Sequence, residues 1–351
     1  HAVFDLLRRH GAPATVAMMG GRYFGFVAGG SIPVSLAAKN LATFWDQAPA
    51  MYVLSPVCAM LETVVERWLR EILGLPSGTV AGFVSGSSSA NMCGLAAARW
   101  RVLQRAGWDV NKRGLFGAPP IRVVAGAQAH STVVKALALL GFGEESIMRV
   151  PADAQGRMIA SALPPLDERT ILVIQAGNVN SGAYDPFAEL CARANAAGAW
   201  VHVDGAFGLW AQAADGLRHL TAGVERADSW AVDAHKTLNT PYDSGIILCR
   251  DHEALTSSLH MSGGYIVLSD DKRDGMLTTP EMSRRARIVE LWAALAYLGR
   301  SGVATLVAGL HERSLQFARE IAAVPGFEVL NEVAFNQVLV RCATDELTTR
   351  T

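Results

Sequence analysis

The stretch Val-His-Val-Asp-Gly-Ala-Phe-Gly (residues 201–208) decides the fold, because it places a carboxylate and a glycine directly after an apolar run. The same arrangement recurs in Asp-Ala-His-Lys-Thr (residues 233–237), which follows the apolar run 229–232. In open sheets of parallel strands, ligands bind beyond the carboxyl ends of the strands. Asp204 and Lys236 are therefore expected to meet at one site.

Short apolar runs alternate with helical segments along the middle of the chain. The runs predicted as strands are Val80–Val84, Arg122–Ala125, Thr170–Gln175, Ala199–Val203 and Gly245–Cys249. The segments predicted as helices are Pro56–Leu73, Ala90–Gln104, Thr132–Leu140 and Pro186–Ala197. Strand, helix and strand at this spacing require crossover connections. The predicted fold class is α/β, with a mostly parallel sheet covered on both faces.

Three regions are expected along the chain. Residues 1–50 form a loop-rich N-terminal arm, and residues 51–304 form the large domain. A helix from Pro280 to Gly299 leads toward a small C-terminal domain, of which residues 305–351 are the start, with a strand at Gln337–Arg341. Because the chain begins without Met and stops soon after that strand, pieces are expected to be missing at both ends.

Composition excludes several classes of protein. The 31 basic and 32 acidic residues give a net charge of −1, so no bulk field attracts nucleic acid or anionic membrane. No signal peptide and no apolar run long enough for a bilayer are recognised. The five cysteines form no Cys-x-x-Cys pair, which argues against a metal site and favours a reducing, cytoplasmic location. The mean hydropathy of +0.22 indicates an oligomer interface.

Three elements together suit pyridoxal phosphate (PLP). Lys236 can form an imine with the cofactor aldehyde, and Asp204 can pair with the protonated ring nitrogen. The Gly-Ser-Ser-Ser stretch at residues 86–89, before a helix expected to open at about Asn91, can hold a phosphate on free backbone N–H groups. Each residue also has an ordinary interpretation, as a surface lysine, a turn aspartate or a helix cap.

Other residues leave alternatives open. The Gly-x-Ser-x-Ala pattern also resembles the nucleophile elbow of a serine hydrolase, with Ser88 as nucleophile. His130 follows a predicted strand, where it could stack on a heteroaromatic ring or serve the structure alone. Asn178 and Asn180 could bond a cofactor or make a turn.

The ordered set of motifs resembles the group II PLP-dependent amino-acid decarboxylases, the family of the aromatic amino-acid and glutamate decarboxylases. The resemblance runs from about Tyr23 to Cys342 and rests on residues 55–69, 85–91, 129–136, 176–186, 203–208 and 233–236. It implies PLP-dependent transferase fold type I, as in aspartate aminotransferase: a large domain with a mostly parallel sheet and a small C-terminal α+β domain. It also implies a homodimer in which each site is completed by its neighbour.

The resemblance implies roles around the cofactor ring. Lys236 holds the cofactor as an imine, and Asp204 pairs with the ring nitrogen. Ala206 packs under the ring, and His130 stacks on the opposite face.

The resemblance also implies roles at the phosphate and the cofactor hydroxyl. Ser87 and Ser88 bind the phosphate, with help from the segment before Lys236, including His235. Asn178 stands where the family usually has Thr, so it is the expected partner of the cofactor hydroxyl.

The implied reaction is decarboxylation of an L-amino acid to the amine and carbon dioxide. Tyr265 falls where many members carry a mobile-loop tyrosine that protonates Cα. Phe24 and Phe26 align with pocket-lining aromatics, which favours an aromatic substrate, and Gly25 leaves room for a ring. The alternatives within the cofactor class are an aldehyde synthase, a lyase and an aminotransferase.

Overall fold

A central seven-stranded sheet organises the computed structural model, which describes residues 1–259 and 263–350. Its strands are β1 (Val80–Val84), β2 (Arg122–Gly126), β3 (Ile147–Val150), β4 (Thr170–Gln175), β5 (Trp200–Asp204), β6 (Ser229–Asp233) and β7 (Gly245–Cys249). Their order is β1-β7-β6-β5-β4-β2-β3. Only β7 runs antiparallel to its neighbours, and every other pair in this sheet is parallel. The predicted α/β class with a mostly parallel sheet is confirmed.

Helices cover both faces of this sheet. On one face lie α4 (Ser87–Arg105), α6 (Ser131–Leu139) and α8 (His252–Ser258); on the other lie α3 (Pro56–Ile72), α7 (Phe187–Ala196) and α9 (Ile288–Ala322). Strand residues alternate between the two layers, since Leu172 packs in one core while Ile171 and Val173 pack in the other. Burial on both faces explains why β4, β5 and β6 read as continuous apolar runs.

Several element boundaries differ from the sequence expectations. The arm contains α1 (Ala2–Leu6) and a well-formed α2 (Pro33–Trp45), which packs on α9. The expected helix from Pro280 starts only at Ile288. The arginines in the segment before it form ion pairs with other parts of the chain. Arg284 contacts Glu62 at 2.7 Å in a buried pair. Helix α9 then continues past a kink at Gly299, where φ is 61°, to Ala322.

By length and apolar composition alone, α9 could cross a membrane, contrary to the expectation from the sequence. Its first turns lie inside the fold instead, where Ile288, Leu291 and Leu295 belong to the core. Glu290 is buried there and contacts Arg285 at 2.5 Å. The start of α9 therefore belongs to the core, whereas most of its later residues are partly or fully exposed.

The remaining elements are small. Helix α5 (Val110–Arg113) follows α4, and the strands β8 (Phe327–Val329) and β9 (Val340–Cys342) form an antiparallel pair before α10 (Asp345–Arg350). The strand expected at Gln337–Arg341 overlaps only the start of β9. This pair is consistent with the start of a small α+β domain, and the division at residues 50 and 304 stays a prediction.

Candidate active site

The carboxyl ends of β5 and β6 bring the two decisive residues together. Asp204 ends β5 opposite Ala231 of β6, and Lys236 follows three residues after β6 ends. Asp204 is buried, and its Oδ1 accepts the N–H of Ala206 at 3.2 Å. Burial raises the pKa of the Asp204 carboxyl, while electrostatic interactions with Lys236 and His130 oppose that rise. The carboxylate therefore lies where a cationic ring nitrogen would stabilise it.

Asp233 is a site residue that the sequence reasoning did not single out. Its Oδ2 lies 3.1 Å from Nζ of Lys236, and its Oδ1 accepts the N–H of Ser87 at 2.6 Å. The side chain is 1% exposed, so it ties the lysine to the start of α4 inside the protein. Its position at the end of a strand, like that of Asp204, was the available signal.

His235 forms part of the wall between the lysine and the start of α4. Its Nδ1 accepts the N–H of Ser244 at 3.0 Å, and its ring centroid is 4.5 Å from that of Tyr242. Burial lowers the pKa of His235, so the ring is neutral near pH 7. These contacts hold the ring in place; a contact with the cofactor stays a prediction.

The start of α4 supplies a candidate phosphate site. The helix begins at Ser87, about four residues earlier than expected, so Ser87 and Ser88 lie in its first turn. Ser87 is buried and Ser88 is exposed. Close packing requires glycine behind this turn, because a Cβ on Gly245 would lie 2.3 Å from Cα of Gly86. The free N–H groups and the dipole of this long helix suit an anion.

His130 lies at the start of α6, where it caps the helix. Its Nδ1 accepts the N–H of Thr132 at 3.3 Å and lies 2.8 Å from Oγ1 of the same residue. His130 and Asp204 line one small cavity. The predicted stacking partner and the predicted ring-nitrogen partner are thus adjacent.

The side chain of Asn178 forms hydrogen bonds within its own loop. Its Oδ1 accepts the N–H groups of Asn180 at 2.9 Å and Ser181 at 3.2 Å, and its Nδ2 donates to Gln128 at 3.0 Å. The side chain is 1% exposed. The structure gives Asn178 a turn-forming role, and Asn180 is exposed. A bond from Asn178 to the cofactor hydroxyl stays a prediction.

Asp185 is a second buried carboxylate that the sequence reasoning did not single out. It lines the cavity shared by His130 and Asp204, and its oxygens accept the N–H groups of Met158 and Gln175 at 2.7 and 2.8 Å. Burial raises its pKa to about 6. These bonds fix the floor of the cavity.

The two predicted pocket aromatics line one large cavity with the lysine. Phe24, Phe26 and Lys236 share a cavity of about 600 Å³, which Tyr23 also lines. The ring of Phe24 lies 5.3 Å from that of Phe317. Phe26 and the residue after it adopt positive φ values of 60° and 52°, a strained conformation that is common at functional sites.

Tyr265 lies outside this cavity. It is 73% exposed and is not among the residues that line the space beside Lys236. Its predicted role as a proton donor finds no support within its own chain and stays a prediction.

Gly29 joins the arm to the lysine loop. A Cβ at this position would lie 2.2 Å from the carbonyl oxygen of His235 and 2.5 Å from that of Lys236. The neighbouring Gly30 N–H donates to Oδ1 of Asn239 at 2.8 Å. Only glycine permits the arm to approach the loop this closely.

The residues present fit PLP. The amine of Lys236, the buried carboxylate of Asp204 and the glycine- and serine-rich helix start supply an aldehyde anchor, a partner for a cationic ring and an anion site. In the described parts of the chain, no group of three His, Cys, Asp or Glu side chains could hold a metal ion.

Comparison with known proteins places the chain in a family. Residues 15–343 match the pyridoxal-dependent decarboxylase conserved domain. The chain is 28% identical over 341 residues to aromatic-L-amino-acid decarboxylase of Bacillus atrophaeus, covering 93% of this chain and 68% of the relative. It is 30% identical over 337 residues to cysteine sulfinic acid decarboxylase of Mus musculus, covering 90% and 66%. The chain thus spans about two thirds of the length of these relatives.

Comparison with solved structures leads to the same family. The crystal structure of Oryza sativa TDC with PLP and tryptamine superposes with a TM-score of 0.89 at 25% identity, covering 99% of this chain and 76% of that one. The chain belongs to the pyridoxal-dependent decarboxylases, whose cofactor is PLP. The predictions of the family, of fold type I and of the cofactor are confirmed.

The serine-hydrolase alternative is not supported. The family match assigns the glycine- and serine-rich stretch to a PLP enzyme. Among residues 1–259 and 263–350, the Ser88 hydroxyl makes no hydrogen bond to a histidine, which a hydrolase nucleophile requires.

Proposed function

We propose that the complete protein uses PLP to decarboxylate an L-amino acid. The observation that carries the proposal is the buried carboxylate of Asp204, held at a strand end beside the charge of Lys236 in a chain of this family. A carboxylate buried there is costly without a cationic partner, and a protonated pyridine ring supplies one.

Each residue of the site would have its own role in this reaction. Bound PLP supplies an electron-accepting ring for the bond that breaks at Cα. Asp204 holds the proton on the ring nitrogen, and the first turn of α4 binds the phosphate. Lys236 anchors the aldehyde, and its Nζ can hold or release a proton beside Asp233, 3.1 Å away. His130, adjacent to Asp204, covers one face of the ring.

We propose an aromatic substrate on the basis of the cavity lining. Phe24, Gly25 and Phe26 line the same cavity as Lys236. The aromatic-L-amino-acid decarboxylase relative supports this class, whereas the cysteine sulfinic acid decarboxylase relative is named for an acidic substrate. Carbon dioxide release should therefore be measured on tryptophan, phenylalanine, cysteine sulfinate and glutamate. Turnover of an acidic substrate alone would contradict the aromatic assignment, and aldehyde in place of amine would contradict simple decarboxylation.

Phe26→Ala should raise KM for the aromatic substrate about tenfold, because the variant loses contact area equivalent to about 1.4 kcal/mol. Phe26 is 93% exposed in the isolated chain and lines the lysine cavity. Phe116→Ala is the matched control, since Phe116 is 99% exposed and does not line this cavity. Steady-state kinetics on both variants test the assignment. Equal KM values for the two variants would remove Phe26 from the substrate pocket.

We propose a homodimer in the cytoplasm. Large apolar side chains are exposed along the arm and the outer sides of α2 and α3, including Phe4, Leu41, Phe44, Val57 and Met60. A patch of this kind marks an interaction surface, and a second copy is the partner that the family favours. The buried cysteines Cys58, Cys93, Cys191 and Cys249 form no disulfide, which agrees with a reducing compartment. Sedimentation equilibrium should give twice the chain mass; a monomer at micromolar concentration would contradict the dimer.

A further inference from the structure

A buried row of polar side chains connects the core to the histidine of the cofactor site. It crosses from β5 and β6 through α4 to the start of α6. We call it the His130 relay, and its members in order are Trp200, Ser229, His202, Asn91, Thr132 and His130.

The inner steps have a defined direction. Nε1 of Trp200 lies 3.0 Å from Oγ of Ser229, and an indole N–H can only donate. The Ser229 hydroxyl therefore accepts this proton and can give its own to Nδ1 of His202, 2.8 Å away. His202 is fully buried, and desolvation lowers its pKa to about 3. The ring is neutral, and its single proton is on Nε2.

The outer steps continue in the same direction. Nε2 of His202 lies 2.9 Å from Oδ1 of Asn91, whose Nδ2 donates to Oγ1 of Thr132 at 3.4 Å. The Thr132 hydroxyl then donates to Nδ1 of His130 at 2.8 Å, and the Thr132 N–H points at the same nitrogen. Since Nδ1 of His130 accepts from both donors, Nε2 is the ring nitrogen that carries the proton.

If all the hydrogen bonds of the relay ran in the opposite direction, the Ser229 hydroxyl would be left without an acceptor. Turning the Asn91 amide over would present Nδ2 to His202 and move that ring's proton to Nδ1. Two N–H donors would then point at the Ser229 oxygen, and its own proton would have no acceptor within the relay. Ser229 is fully buried, so an unpaired hydroxyl there is costly.

We propose that the His130 relay fixes the tautomer and ring orientation of His130, which makes Thr132, Asn91 and Ser229 positioning residues for the reaction. The relay leaves Nε2–H of His130 as the donor on the side of the ring away from α6. The proposal rests on the placement of His130 against the cofactor under the proposed function. None of the positioning residues touches the substrate; they act through His130.

The first test is nitrogen-15 NMR on histidine-labelled protein, with His130→Asn used only to assign the His130 signals. Wild type should show an acceptor-type Nδ1 and a protonated Nε2 for His130. Thr132→Val removes the hydroxyl at nearly constant volume and leaves only the longer backbone N–H contact of 3.3 Å, so it should shift the Nδ1 signal toward that of a more weakly hydrogen-bonded imidazole nitrogen. Thr132→Ser keeps the hydroxyl and should retain the wild-type pattern. An unchanged spectrum in Thr132→Val would overturn the proposal.

The second test is a double-mutant cycle between the two ends of the relay. Thr132→Val and Ser229→Ala should each lower kcat about fivefold, the cost of one hydrogen bond, with KM nearly unchanged. Because the two residues are joined only through the relay, the double variant should be no slower than the slower single variant. Multiplicative effects would show independent sites and would contradict the relay. Thr132 lies in a partly exposed helix turn, so its pair of variants tests the outer end even where Ser229→Ala does not fold.

The relay and the proposed function can be contradicted independently of each other. The NMR pattern does not depend on turnover, so a shifted Nδ1 signal in Thr132→Val supports the relay even in a preparation that releases no carbon dioxide. That preparation would contradict the proposed function alone.

Discussion

Lys236→Ala is expected to lower turnover by about 10⁴-fold or more, because it removes both the covalent anchor of the cofactor and a proton-carrying group beside the substrate. In the structure the Lys236 amine lies 3.1 Å from Asp233, which holds it at the strand ends beside Asp204. Alanine leaves no group that can bond the aldehyde. Stopped assays of carbon dioxide release measure the loss.

Absorbance and mass spectrometry identify the anchor directly. Borohydride should fix the cofactor to Lys236 in the wild type and leave Lys236→Ala unlabelled. Lys112→Ala is the control, since that side chain is 84% exposed and lies away from the site. Full activity in Lys236→Ala, or a label on another lysine, would show that the anchor is elsewhere.

Asp204→Asn is expected to lower kcat by about 10²- to 10³-fold, because a fixed charge aimed at the ring nitrogen is lost while the anchor remains. Asparagine keeps an oxygen for the Ala206 N–H, so the local backbone is preserved. The variant should still bind PLP through Lys236 and absorb visible light. Asp215→Asn, at an 88% exposed position, is the control. A kcat within a factor of three of wild type would contradict the role of Asp204.

The same variant makes a second, opposite prediction for the protein without cofactor. Burial raises the pKa of the Asp204 carboxyl, so ionising it in the folded chain costs free energy. That cost is present at neutral pH and absent well below the ordinary aspartate pKa of about 4. Apo Asp204→Asn should therefore melt higher than apo wild type at pH 7, with the difference disappearing in acid. A lower melting temperature at pH 7 would contradict the buried-charge argument.

Strand ends were predictable from sequence, because a carboxylate after an apolar run marks both a buried strand and the edge where ligands bind. Asp204 and Lys236 were found in this way. β3 was missed, since a short edge strand with exposed Met148 and Arg149 has no apolar run. The late start of the helix expected from Pro280 was also missed. Its apolar periodicity continues, whereas the ion pair of Arg284 with Glu62 depends on contacts distant in sequence.

The supporting residues of the site were harder to predict for the same reason. Asp233 was visible as a strand end, but its bond to the Ser87 N–H joins residues 146 positions apart. The capping bonds of Asn178 depend on loop geometry that composition does not determine. Thr132 and Asn91 look like ordinary helix residues until the fold places them between two histidines.

The close packing of Gly29 against the carbonyl oxygens of His235 and Lys236 also affects how the chain folds during synthesis. The neighbouring bond joins Gly30 to Asn239, 209 residues further along. On the ribosome the arm emerges long before its docking place exists, so it remains undocked until most of the large domain has been synthesised. Contacts of such long range slow folding. The arm can therefore dock on the lysine loop only after the chain has been synthesised beyond Asn239.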